Sequence, residues 1–172
     1  MAAFDFDDMI EPTRLDFTLL QNGPITLYFR RHVQERDVAW LAAHGYDVKT
    51  FDCSGWTTSE AMNDALASTL GFPSHYGRNS AALRDCLSDL QIPGESGLVL
   101  VFRRYDVYAK HAAHDAAGVL DVIGESSRWF LLFGRRLLAL VQSDDPRIAF
   151  EPVGASPVSW NGWEADPATR GL

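Results

Sequence analysis

The sequence predicts an α/β protein of one domain, in which a mainly parallel sheet carries helices on its faces. Short apolar or β-rich runs alternate with longer segments whose apolar residues recur at helical spacing, the pattern of strands joined by helices. The chain has 172 residues, of which 47% are hydrophobic, enough for one sizeable core. It contains no internal repeat and no dividing linker, so we expect a single domain over residues 25–150.

The first elements alternate between strand and helix. Residues 1–24 show no clear period and end in a turn signal, which indicates a covering segment. A β-rich run at 25–30 predicts a strand that extends the sheet, and apolar residues at helical spacing predict a helix over 34–44. Alternation at 46–52 predicts the next strand, and the segment 58–70 predicts the next helix.

The middle of the chain combines a rigid loop with a capped helix. Proline and glycine restrict the loop 72–77. Asn79 is placed to cap a helix over 80–90, because its side-chain oxygen can accept hydrogen bonds from the first free backbone N–H groups. The apolar run 98–102 then predicts a central strand that is covered on both faces.

The last third of the chain contains another helix, another buried strand and a tail. Helical spacing extends over about 105–125 with a break around His114, and the apolar run 137–141 predicts a buried strand. A turn after it can lead into a hairpin in which 148–150 adds an antiparallel edge strand. Residues 151–172 predict a tail, whose tryptophans we expect to pack back on the domain.

Charge and cysteine content argue against several classes of function. The formal net charge is −8 and the pI is near 5.0, which argues against sequence-independent binding of nucleic-acid phosphates. Two cysteines cannot form a disulfide framework, so we expect a reduced compartment. The acidic N-terminus is unlike a secretory signal, and no apolar run approaches the roughly 20 residues of a membrane span. We expect a cytoplasmic protein without membrane contact.

Signatures of enzymes and cofactor sites are weak. The sequence has no Gly-rich phosphate loop and no nucleophile elbow, so we expect no cofactor. His111 and His114 lie three residues apart and can supply two metal nitrogens, although a polar helix face is the simpler interpretation. Cys86 and His75 can form a nucleophile–base pair, but the position of Cys86 on an apolar stripe favours an inert thiol.

The helix over 80–90 has an apolar side and a polar side. At about 100° per residue, one side is predicted to be buried and carries Leu83, Cys86, Leu87 and Leu90. The other side points outward and carries Ala81, Arg84, Asp85 and Ser88. A rigid turn therefore leads into a helix that displays a small mixed surface around one acid.

A dense motif occupies the same loop and helix. Its residues are Phe72, Pro73, Tyr76, Gly77, Asn79, Ala82, Leu83, Asp85, Cys86 and Leu87. In these residues the chain resembles the barstar family, the small intracellular inhibitors of secreted bacterial ribonucleases. The resemblance extends over about 46–142, and the segments 25–44 and 151–172 are additions to it. It implies a barstar-like parallel sheet and a protein that is not an enzyme.

The resemblance implies that the protein works by occlusion. In the family, the loop and the following helix enter the nuclease cleft, and the aspartate matching Asp85 takes the place of a substrate phosphate. A desolvated carboxylate among arginines is one of the strongest contacts available to a protein. The implied partner is a secreted nuclease toxin, bound one-to-one, with no nucleic acid bound directly. The implied partner-binding residues are His75, Gly77, Asn79, Ser80, Ala81, Arg84, Asp85, Ser88, Asp89, Asp121, Val122 and Glu125.

Three positions depart from the pattern of the family's namesake. It has an aromatic residue at the position of His75, an acid at that of Ala81 and a tryptophan at that of Arg84. The last two changes remove negative charge from the implied contact face, so we expect a partner that differs from barnase and has an acid of its own near Arg84. Most of the net charge lies in 1–24 and 143–172, so the hypothesis depends on where individual acids are placed.

Two alternatives remain open at this point. A barstar-like module can serve as an adaptor or regulator whose partner is not a nuclease. A small enzyme built on the Cys86 and His75 pair, or on His111 and His114, is the weaker alternative because no motif supports it.

Overall fold

Strands and helices alternate along the chain. The computed structural model describes residues 3–4 and 14–172. The strands in this part are β1 (Ile25–Tyr28), β2 (Asp47–Asp52), β3 (Leu98–Arg103), β4 (Leu137–Gln142) and β5 (Ser159–Trp160). The helices are α1 (Leu15–Gln21), α2 (Arg31–Ala43), α3 (Ser59–Leu70), α4 (Ser80–Ser88), α5 (Tyr105–His111) and α6 (Ala113–Leu132). Turns of 3₁₀ helix occupy Cys53–Gly55 and Pro167–Arg170.

The strands form a parallel sheet in the order β2-β3-β4-β1-β5. The longest pairing joins β2 to β3, from Asp47 opposite Leu98 to Asp52 opposite Arg103. The connections from β1 to β2, from β2 to β3 and from β3 to β4 each pass through helices, because a chain that enters a parallel strand must first return to the other end of the sheet. The predicted α/β fold with a parallel sheet is confirmed.

The central strands are buried on both faces, as their continuous apolar runs predicted. Along β3, Leu98, Leu100 and Phe102 belong to one core, whereas Val99 and Val101 belong to the other. Helices α3 to α6 contribute to the first core, and α1 and α2 contribute to the second. Successive side chains of a strand point to opposite faces, so a strand that is apolar at every position fits between two layers of helices.

The edge strand after β4 differs from the predicted one. Residues 148–150 form no strand, and the antiparallel hairpin predicted there is wrong. Ile148 is buried and Phe150 packs against the same core, close to the ring of Tyr105. The chain runs on across the molecule, and β5 then pairs in parallel with β1. A parallel partner needs a connection of a dozen or more residues, and the segment between β4 and β5 supplies it.

The helical stretch predicted over 105–125 is divided into α5 and α6 by an extended residue at Ala112. The predicted break therefore lies two residues before His114. Helix α6 continues to Leu132, beyond the predicted end. Its polar stretch interrupts the apolar pattern, but Ser126 and Ser127 are buried, and the Ser127 hydroxyl donates to the Leu137 carbonyl. Packing against the sheet thus carries the helix past the point where its apolar spacing ends.

The two ends of the chain pack on the domain. The covering segment predicted at 1–24 lies partly outside the described residues, and its last part forms α1, which packs on α2. In the predicted tail, Trp160 packs against the core under the guanidinium of Arg170, as expected, whereas Trp163 is 70% exposed. Within the described ranges, no helix is long and apolar enough to cross a membrane.

Candidate partner-binding surface

Helix α4 presents the side that its sequence pattern predicted. The Asn79 side chain accepts a hydrogen bond from the Ala82 N–H at 2.9 Å and so caps the helix. Leu83 and Leu87 are buried in the core that α6 shares, and Cys86 is half-buried. Ten residues of the predicted set are exposed: His75, Gly77, Asn79, Ser80, Ala81, Arg84, Asp85, Ser88, Asp89 and Glu125.

The loop before α4 is held against α3 by aromatic and polar contacts. The rings of Phe72 and Tyr76 meet edge to face at 5.0 Å, and the Tyr76 hydroxyl donates to the Asn63 side chain. Burial raises the pKa of Tyr76 to about 12, so this phenol stays protonated and remains a donor. Arg78 adopts a left-handed conformation at φ 53° and forms an ion pair with Asp64 at 2.6 Å. These contacts fix the loop that leads into the exposed side of α4.

An ion pair joins α4 to α6 across this surface. The Arg84 Nε donates a hydrogen bond to the Glu125 Oε2 at 2.7 Å, and the Arg84 Nη2 forms an ion pair with the same oxygen at 2.6 Å. Both side chains are a little under half exposed, so the pair lies at the surface. The structure therefore brings together the two residues that the sequence placed 41 positions apart.

Asp85 lies beside this pair but takes no part in it. It is exposed, and within the described part of the chain its carboxylate forms no hydrogen bond or ion pair. Asp85 and the ion pair line one cavity of about 250 Å³ between α4 and α6. The cavity is lined by Arg84, Asp85, Ser88, Glu125, Ser126 and Trp129. The surface thus offers one open carboxylate and one carboxylate that is already paired.

The part of the chain that carries this surface matches a known family. The family model described as Barstar (barnase inhibitor) matches residues 46–142, more than half of the chain. The chain belongs to the barstar family. The matched range runs from the residue before β2 to the end of β4, and it includes the loop, α4 and α6. Comparison with curated proteins gives no match.

Two residues of the predicted set do not belong to the exposed part of this barstar-family surface. Val122 is only 2% exposed and packs in the core, so the structure does not place it on the exposed surface where the sequence analysis expected it. Asp121 is half-buried, and its carboxylate accepts a hydrogen bond from the Gly154 N–H at 2.8 Å. Asp121 lies one helical turn before Glu125, but the segment after β4 covers it.

That covering segment supports the helix that carries Glu125. Arg128 donates to the Gly154 carbonyl at 2.7 Å, and Val153 bridges to Ser156 in a tight turn. A Cβ on Gly154 would lie 2.5 Å from the backbone carbon of Gly124, and its φ is 51°, so only glycine fits there. Residues outside the matched barstar range therefore pack against α6 next to Glu125.

Trp129 was missed by the sequence prediction. It lines the cavity, is 51% exposed and stacks edge to face on Phe133 at 4.9 Å. It follows Glu125 by four positions, so helical spacing places the two side chains on neighbouring turns of one face. Continuing the helix past Glu125 is the signal that would have found it.

The residues considered for catalysis do not form a site. Cys86 and His75 share no hydrogen bond in the described ranges, and burial, with the nearby acids Asp89 and Asp85, raises the pKa of the Cys86 thiol. A raised pKa disfavours the thiolate, which is the nucleophilic form. His111 and His114 are exposed, and no cluster of His, Cys, Asp and Glu among the described residues is able to hold a metal ion.

Proposed function

We propose that this protein is an intracellular immunity protein that binds a bacterial nuclease toxin, with a ribonuclease as the first candidate. The loop 72–79 and α4 would occlude the active site of the toxin. The observation that carries the proposal is the open Asp85 carboxylate at the centre of the barstar motif. One inhibitor would bind one nuclease, and the inhibitor itself would catalyse nothing.

The chemistry of a nuclease cleft supports this role for Asp85. A cleft that binds the phosphates of a nucleic acid carries cationic side chains, and a carboxylate offers them the same charge-assisted hydrogen bonds as a phosphate. Because Asp85 has no internal partner in the described ranges, it gives up only its hydration when a cation arrives. Occupying the cationic groups in this way excludes the substrate.

The rigidity of the loop supports the proposal as well. Tyr76 is bonded to Asn63, Arg78 is paired with Asp64, and Asn79 caps α4. A segment that is already fixed in its bound shape loses less conformational entropy on binding. The loop and helix are therefore suited to entering a cleft as one preformed unit.

An inhibition assay with an Asp85 variant tests the proposal. Purified bacterial ribonucleases, barnase included, are titrated with the wild-type protein while RNA cleavage is followed. We expect at least one to be silenced at one-to-one stoichiometry, and Asp85→Ala to raise its inhibition constant by about 30-fold or more, the loss typical of a central charged contact. Glu95→Ala, which removes an exposed acid of the loop between α4 and β3, should change it by less than about twofold.

Two results would contradict the proposal. Full inhibition by Asp85→Ala would remove Asp85 from the mechanism. Failure to inhibit any of the nucleases, together with recovery of a partner without nuclease activity in an affinity purification, would favour the adaptor function instead.

A further inference from the structure

The ion pair between α4 and α6 divides the acids of this surface into two kinds. Arg84 holds Glu125 through two short contacts to one carboxylate oxygen, whereas Asp85 faces solvent without a partner in the described ranges. A cation from a partner can reach Asp85 directly. At Glu125 it meets the Arg84 guanidinium first.

The position of Arg84 allows this surface to discriminate between partners that do and do not bring a cation to Glu125. A partner's cation that approaches Glu125 is repelled by Arg84 and must displace it, losing the two contacts that Glu125 already has. Like charges brought together at an interface strongly suppress binding of the wrong partner. Ala81 adds no compensating negative charge on the same side of α4.

The cavity beneath the pair shows what kind of group fits there. Ser126 is 3% exposed, and its hydroxyl has no hydrogen-bond partner within the described part of the chain. The residue Ser126 lines the same cavity as the ion pair and the half-exposed Trp129. A buried hydroxyl without a partner is costly until it is bonded, so an uncharged polar group next to an apolar one matches this cavity.

We propose that Arg84 is a specificity-determining residue, which selects a nuclease with one cationic cluster opposite Asp85 and an uncharged polar side chain opposite the Arg84–Glu125 pair. This uncharged group replaces the acid expected near Arg84 from the sequence, because Glu125 already pairs with that guanidinium. A nuclease that presents a second cationic cluster at Glu125 is excluded. The inference deepens the proposed function, because it names the chemistry of the partner that the same surface takes.

Barnase is the probe, because the family is named for its inhibition and the family's namesake has a tryptophan at the position of Arg84. Binding to barnase, measured by calorimetry and by stopped-flow association, tests the role of Arg84. Arg84→Ala frees Glu125 and should bind barnase at least about tenfold more tightly than the wild type does. In the background of Glu125→Ala, the same substitution should give less than about a third of that gain, because the released carboxylate is then missing. Thermal melts should stay close to the wild type, since both side chains are surface-exposed.

A matched control separates this local effect from net charge. Arg31→Ala removes one positive charge from another exposed ion pair, with Glu35, on α2 at the opposite face of the sheet. It should leave barnase binding within about twofold. An equal gain from Arg31→Ala would overturn the inference, and so would an Arg84→Ala variant that binds barnase no better than the wild type, including the case in which neither binds.

This outcome is separable from that of the proposed function. The effect of Asp85→Ala on inhibition of the protein's own target nuclease tests occlusion, and it does not depend on how Arg84→Ala binds barnase. A failure of the Arg84 prediction alone leaves occlusion by Asp85 intact.

Discussion

Single residues of the same type have different roles on this surface, and the difference depends on one neighbour. Asp85 and Glu125 are both exposed acids near one cavity, but only Glu125 is neutralised, by Arg84. Helical spacing predicted that Asp85 faces outward, and the family resemblance implied a partner contact for Glu125. Neither predicted the ion pair, because the two helices that bring Arg84 and Glu125 together are joined by a whole strand and another helix.

The buried acid Asp16 of α1 predicts a pH dependence of stability. Asp16 accepts hydrogen bonds from Arg14 at 2.7 Å, from the Tyr46 hydroxyl at 2.8 Å and from Arg136 at 3.3 Å. Burial raises the pKa of Asp16, but the bonds from Arg14 and Tyr46 outweigh burial and hold the pKa below its usual value. A lowered pKa in the folded state means that the stabilisation is present above the unfolded-state pKa and is lost as the pH falls through the folded-state pKa.

Asp16→Asn should therefore destabilise the protein at neutral pH and have less effect in acid. We expect a loss of about 2–3 kcal/mol at pH 7, because the substitution leaves buried cationic donors without a charged partner. The free energy of unfolding from urea titrations at pH 7 and pH 3 measures it. Asp47→Asn is the control, because Asp47 forms a solvent-exposed ion pair with Lys49. It should lower the free energy of unfolding by less than about 0.5 kcal/mol. An equal loss at both pH values for Asp16→Asn would contradict the assignment.

At the scale of elements, the strands and helices of the matched range could be predicted from spacing alone. β3 and β4 are apolar at nearly every position because helices cover both faces of these strands. The short edge strand could not be predicted, since β5 has two residues and is defined by the neighbour it pairs with. Helix α1 was missed for a similar reason: its seven residues bury the acid Asp16, which breaks the apolar period.

An acid of the last segment connects β5 to the start of α2. Glu164 is fully buried, and its carboxylate accepts hydrogen bonds from the backbone N–H groups of Phe29 at 2.7 Å and Arg30 at 2.8 Å, and from the Asn161 side chain at 2.7 Å. The N-cap residue Arg30 makes no capping bond with its own side chain. The carboxylate from the chain's last segment therefore binds backbone donors at the point where α2 begins.

Removing this carboxylate should destabilise the whole protein. Glu164→Ala leaves buried donors unpaired and should lower the free energy of unfolding by about 2–4 kcal/mol. Glu164→Gln keeps one acceptor oxygen and should lose less. Glu151→Ala, at an exposed acid of the same segment, is the matched control and should stay within about 0.5 kcal/mol of the wild type. Denaturant titrations in which Glu164→Ala and Glu151→Ala have equal midpoints would contradict this role.

At the scale of the whole molecule, the barstar range supplies the surface and the additions support it. The segment around Gly154 packs on α6 behind Glu125, and the last residues fix β5 and α2. The sequence could predict which side of α4 faces outward, because local helical spacing determines that. It could not predict that Asp121 is covered, because that depends on where the distant segment after β4 packs. Trp129 was missed for a local reason, since the predicted helix ended at Glu125.

Competition with a substrate analogue tests occlusion most directly. A nuclease that the protein inhibits is incubated with a non-cleavable oligonucleotide that fills its active site, and the apparent Kd of the wild-type protein is measured at rising oligonucleotide concentration. If Asp85 occupies the phosphate site, the apparent Kd should rise linearly with the oligonucleotide concentration from its value without oligonucleotide. An apparent Kd that does not change with the oligonucleotide would contradict the proposal that this surface blocks the active site.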